Sequence, residues 1–119
     1  MIVASCHCGA VRWELANPPA FLTECNCSIC RRLGTLWAHA PASEITLYRD
    51  GDATLGYVWG DRLLAFHTCR SCGCTTHWES LSTEENPPMA VNFRMADPAE
   101  LENLRIRRFD GADSWRYLD

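Results

Sequence analysis

The spacing of the cysteines constrains this chain more than any other feature. Eight of them fall in three clusters: Cys6-His-Cys8-Gly9, Cys25-Asn-Cys27-Ser-Ile-Cys30-Arg-Arg, and Cys69-Arg-Ser-Cys72-Gly73 with Cys74 close behind. No basic segment or long apolar stretch precedes the first cluster, since Met1-Ile2-Val3-Ala4 runs almost directly into Cys6. The sequence therefore reads as cytoplasmic, without a signal peptide or a membrane span. Clustered thiols in that compartment point to metal rather than to disulfides, and thiolate-rich sites point to zinc.

The central run packs three thiols into six residues, enough to place three sulfurs around one ion without help from distant segments. Three ligands are one short of a tetrahedron, and an open fourth position is what separates a catalytic zinc from a structural one. The outer clusters differ, because each ends in a glycine that tolerates the tight turn wrapping backbone N–H groups around bound sulfur. Each supplies two ligands, so Cys6, Cys8, Cys69 and Cys72 make one closed structural site joining segments about sixty residues apart. Such a site contributes directly to folding free energy. Cys74 has two readings: a buried free thiol, or a fourth ligand closing the Cys25, Cys27, Cys30 site.

A length of 119 residues suits one domain, residues 1–119, whose modest core makes metal cross-links valuable. Short alternating segments predict strands at 2–8, 10–15, 35–40, 45–48, 54–59, 62–68, 74–79, 89–94 and 104–109. Gly60-Asp61 reads as a hairpin turn, and Gly34 closes a helical turn over 28–33. Pro98 to Asn103 reads as another helical turn. No long helical pattern, repeat or linker interrupts this, so the fold class is mainly β. Trp13, Trp37, Trp59 and Trp78 are core candidates, Trp37 also a pocket candidate, and Trp115 is expected to pack down a C-terminal loop. The net charge of −4 would become −7 with seven thiolates and two Zn²⁺ (−7 + 4), which argues against a general nucleic-acid binder, the only basic clusters being Arg31-Arg32 and Arg105-Ile106-Arg107-Arg108.

The order C-x-C-G, C-x-C-x-x-C-R-R, C-x-x-C-G resembles the glutathione-dependent formaldehyde-activating enzymes, a family that includes centromere protein V. Ser5-Cys-His-Cys-Gly-Ala-Val-Arg, Ala90-Val-Asn-Phe-Arg and Phe109-Asp-Gly extend the resemblance over nearly the whole chain. It implies a β-tent fold of short antiparallel sheets. It also implies two zinc ions, one structural on Cys6, Cys8, Cys69 and Cys72 and one catalytic on Cys25, Cys27 and Cys30. The implied partners are glutathione or another small thiol and formaldehyde or a small aldehyde, joined in a carbon–sulfur lyase type of reaction as an S-hydroxymethyl adduct. Arg31 and Arg32 are then candidates for glutathione's carboxylates, Trp37 for the pocket wall and His39 for an acid or base. His7 is expected to be exposed, and His67 and His77 to serve the fold. The chain departs from the family in two places: little lies between residues 80 and 88 to cover a substrate, and Cys74 stands where threonine or serine is usual. Two rival readings use the same residues. One is a non-catalytic interaction module with two structural Cys₄ zincs; the other is a methionine sulfoxide type of thiol reductase with Cys74 as nucleophile.

Overall fold

The computed structural model describes residues 1–119. Its strands are β1 (Ile2–Ser5), β2 (Val11–Leu15), β3 (Phe21–Cys25), β4 (Trp37–Pro41), β5 (Ile45–Arg49), β6 (Thr54–Tyr57), β7 (Leu64–Cys69), β8 (Thr75–Ser80), β9 (Pro88–Asn92) and β10 (Arg105–Phe109). Two single-turn helices, α1 (Cys30–Leu33) and α2 (Pro98–Leu101), complete the regular structure with two short 3₁₀ turns. The mainly β expectation is met. The first strand stops at Ser5, because the next residues turn to present Cys6 and Cys8; the Gly9 N–H donates to the Cys6 carbonyl and Gly9 takes φ 83°.

The strands form two sheets, a three-stranded one in the order β1-β2-β5 and a seven-stranded one in the order β10-β3-β4-β9-β8-β7-β6. Pairing is antiparallel except at the edge, where β10 runs parallel to β3. Alternation in β1 and β2 buries Ile2, Ala4, Trp13 and Leu15 on one face. These residues pack against Leu22, Ala38, Met89, Val91 and Phe93, which point inward from the larger sheet and its flanking turn. The core therefore lies between the sheets.

Side chains one residue out of phase with that core point to the other face of the larger sheet. The register sets Phe66 beside Trp78, Trp78 beside Ala90, and Ala90 beside His39. The small Ala90 lets the rings of Trp78 and His39 meet edge to face, with centroids 5.8 Å apart. Asn92 ties these strands together from inside. Its side chain donates to the Thr75 carbonyl at 2.8 Å and accepts from the N–H groups of Leu36 and Arg94, both at 3.2 Å.

Candidate metal centres and pocket

The first centre lies between the β1–β2 turn and the β7–β8 turn. The Sγ atoms of Cys6, Cys8, Cys69 and Cys72 all lie within 4.8 Å of one another, with Cys6 to Cys8 at 3.7 Å and Cys8 to Cys69 at 3.6 Å. A regular tetrahedron of sulfurs at zinc's bond length has an edge of about 3.8 Å, so the four residues fit such an ion. The Val11 N–H donates to Cys6 Sγ at 3.4 Å, a contact that favours thiolate. Backbone N–H groups of Cys74 and Cys8 pull the Cys72 thiol down to about 5. The two glycines adopt the left-handed conformation the turns require, Gly9 at φ 83° and Gly73 at φ 78°. Cys6 and Cys69 are buried, whereas Cys8 is exposed, so this centre sits at the surface where the two sheets meet.

Cys25, Cys27 and Cys30 form a second group, their sulfurs again mutually within 4.8 Å. Cys25 ends β3, Cys27 lies in the following turn and Cys30 opens α1. The helix closes as expected, with Gly34 at φ 68° donating its N–H to the Cys30 carbonyl. Hydrogen bonds converge on the sulfurs: the Cys30 N–H donates to Cys27 Sγ at 3.4 Å, and Trp37 Nε1–H donates to Cys30 Sγ at 3.3 Å. A hydrogen bond from the Cys30 thiol, helped by the N–H groups of Cys27 and Gly111, lowers the Cys25 thiol to about 6. The hydrogen bond to Cys25, with burial, raises Cys30 in return. A thiol set with one proton readily shed and N–H donors around its sulfurs fits a thiophilic cation.

All three sulfurs open on a cavity of about 470 Å³ on the outer face of the larger sheet. Trp37, Phe66, Trp78 and His39 make its floor, while Trp59, Gly60 and Asp61 from the β6–β7 loop border it. Phe109, Gly111, Trp115 and Tyr117 form the opposite wall. His39 is open to the cavity yet surrounded by protein, and desolvation lowers its pKa. A second hollow, about 420 Å³, touches Cys25 and Cys30 from another side and is lined by Arg31, Arg94 and Arg108 with Glu24.

Other candidates fall out differently. Arg31 and Arg32 are both exposed; Arg31 lines the second hollow, whereas Arg32 donates back to the Ser28 carbonyl at 2.7 Å. Cys74 belongs to neither sulfur group and packs beside Cys6, Val11 and Cys69, away from the cavity. Trp59 is no core residue: it is 39 % exposed and belongs to the cavity. Trp115 packs edge to face on Phe109 with ring centroids 5.0 Å apart, but at 71 % exposed it is not the main anchor of the tail. The tail is held mainly by the Thr23–Tyr117 hydroxyl pair at 2.9 Å and by Arg107, stacked on Tyr117 at 3.9 Å and paired with Asp119.

Sequence reasoning missed Gly111. A Cβ there would lie 2.6 Å from Cys25 Sγ, so only glycine lets the tail backbone approach the sulfurs. Asn26, inside the cysteine run, fixes that approach by donating to Asp110 and accepting from the Ala112 N–H, both at 3.0 Å. His67, His77 and Glu79 form a third cluster of ligand-type groups. It is already filled by a cation, because Arg49 donates to His77 Nε2 at 2.8 Å and to both Glu79 oxygens. His7 is exposed, as expected.

Two packed β-sheets joined at a four-cysteine group, with a three-cysteine group opening on a cavity, define a cysteine-rich β protein whose two sulfur groups are each arranged so that they could hold a metal ion. The chain belongs to the family described as glutathione-dependent formaldehyde-activating enzyme, whose pattern it matches over residues 1–106. It is also similar to a Rhodobacter sphaeroides protein of known crystal structure, with 33% identity and a TM-score of 0.70 over 88% of this chain and 99% of that one. The family is one of formaldehyde-activating enzymes that depend on glutathione. No helix is long and apolar enough to cross a membrane.

Proposed function

We propose that both cysteine groups hold zinc, and that the protein assists addition of glutathione or another small thiol to formaldehyde or a small aldehyde. The supporting observation is the difference between the groups: four sulfurs converge in one, whereas the other has three and faces a cavity. Zinc held by Cys25, Cys27 and Cys30 would supply an open coordination position that stabilises an incoming thiol as its thiolate. The remaining tasks belong to side chains. Trp37, Phe66 and Trp78 exclude water from the cavity floor, which strengthens polar interactions formed there. The Trp37 and Cys30 N–H groups spread charge away from the cysteine sulfurs. His39, which lines the cavity and whose pKa is lowered by desolvation, is the imidazole available there as a proton acceptor.

In the reaction the S–H bond breaks and a C–S bond forms at the carbonyl carbon. The C=O π pair moves to oxygen, which takes the proton and becomes the hydroxyl of the S-hydroxymethyl adduct. The reverse is carbon–sulfur cleavage. Arg31, in the hollow beside Cys25 and Cys30, is the member of the arginine pair placed for a carboxylate.

Titration calorimetry in buffers of different ionisation enthalpy tests this reading. Glutathione should bind with release of a proton well below the free thiol's pKa, and S-methylglutathione should bind far more weakly. Equal binding of the two, without proton release, would leave a zinc-stabilised interaction module as the function.

A further inference from the structure

The cavity onto which the three sulfurs open is a poor match for glutathione itself. Apart from the three cysteines, its lining is dominated by apolar and aromatic side chains such as Ile29, Leu64, Phe66 and Trp78, and Asp61 is the one carboxylate among them. No lysine or arginine lines it, and its histidine, His39, opens on the cavity with its pKa lowered by desolvation. Three thiolates around a divalent ion would carry a net charge of −1, so the charges bordering the cavity, that centre and Asp61, would both be negative. Glutathione's two carboxylates would be desolvated there against like charge, a cost of several kcal/mol per unpaired ion. The arginines that would suit them, Arg31, Arg94 and Arg108, line the other hollow. Formaldehyde is mismatched in the opposite sense, since two heavy atoms leave a cavity of about 470 Å³ almost empty.

We propose that this cavity takes a thiol whose body is uncharged and apolar, of the aryl- or branched-alkyl-methanethiol class, with its sulfur directed at the three-cysteine centre. The proposal rests on the reading of that centre as thiol-binding. The rings that receive such a body are Trp59, Trp78, Trp115, Phe66 and Tyr117. Trp115 and Phe109 meet edge to face, with centroids 5.0 Å apart, and present a preformed aromatic wall. Trp115 and Tyr117 lie beyond residues 1–106, the part that matches the family, so this wall is not implied by membership.

The test uses cobalt-substituted protein titrated with phenylmethanethiol, 4-carboxyphenylmethanethiol, 2-mercaptoethanol and glutathione. The cobalt visible band reports sulfur coordination, and tryptophan fluorescence reports occupancy of the cavity. Phenylmethanethiol should bind at least about tenfold more tightly than glutathione, and its carboxylated analogue should lose most of that advantage. Trp115→Ala should narrow the preference for phenylmethanethiol over 2-mercaptoethanol by roughly fivefold, as expected for loss of one aromatic contact. Binding of glutathione as tight as that of phenylmethanethiol, or an equal loss for every thiol in the variant, would overturn the proposal while leaving the thiol-binding centre intact. A cobalt band that no thiol perturbs would overturn both.

Discussion

Gly111 shows how closely the backbone must approach the three-cysteine centre. Its missing side chain leaves room for Cys25 Sγ, and an added Cβ would also lie 3.2 Å from the Cys27 Cβ. Sulfur on a one-carbon stem cannot swing aside while it holds a metal, so a methyl group here must displace either the ligand or the tail. Gly111→Ala should therefore lower bound zinc from two ions per chain toward one. The far-ultraviolet circular dichroism should stay unchanged, because the four-cysteine centre and the core between the sheets are untouched. Metal analysis after desalting measures this, and full retention of both ions would refute the role given to Gly111. Nothing in Phe109-Asp-Gly reveals that role in advance, because the contact spans 86 residues and depends on the parallel pairing of β10 with β3. The cysteine ligands were legible because their spacing is local.

At the scale of the elements, the alternation of β7 and β8 sends Phe66 and Trp78 to the cavity and His67 and His77 to the opposite face. There the two imidazoles stack with centroids 4.6 Å apart, and His67 Nε2 meets Glu79 at 2.8 Å. Arg49 of β5 closes the network, linking the smaller sheet to the larger one. A hydrogen bond from His67, with the Arg49 guanidinium beside it, holds the Glu79 carboxyl well below the usual carboxylate range. The unfolded chain then binds more protons in acid than the folded one. This stabilisation is complete above the ordinary carboxylate value of 4.5 and is lost as pH falls through the folded value. Burial lowers His77 too, which adds a loss of the same sign beginning below 6.5. The difference in urea midpoint between the protein and Glu79→Gln should be widest near neutrality and shrink below about pH 4.5. A gap independent of pH would mean that the carboxylate is not what matters. Most strands were legible in the sequence, and so were the turns at Gly9 and Gly34, but β3 was not, because Phe21–Cys25 is a short segment whose pattern does not alternate cleanly. The partners across strands were not, because registry is set by the whole sheet. Trp59 was misread because the run 54–59 predicts a strand to its end, whereas β6 stops at Tyr57 and Trp59 falls in the loop that borders the cavity.

For the molecule as a whole, the two sulfur centres sit in unequal places. Cys6 and Cys8 follow β1 in the smaller sheet, while Cys69 and Cys72 belong to the turn after β7 in the larger one. An ion there cross-links the sheets at one end of a modest core, with structural zinc sites in small domains contributing on the order of 10 kcal/mol. The other three cysteines fall between Cys25 and Cys30, next to one strand and one helical turn, so an ion among them closes no long loop. Cys6→Ser should consequently give insoluble protein, or protein with native-like far-ultraviolet and lost near-ultraviolet circular dichroism. Cys27→Ser should remain soluble and folded while holding one zinc instead of two. Mild chelation of the unaltered protein should reproduce the second case, because three sulfurs facing an open cavity release an ion more readily than four converging ones. A chelator that removes both ions in one step, with simultaneous unfolding, would show that the two centres are not divided between fold and function in this way. Equal damage from the two substitutions would show the same.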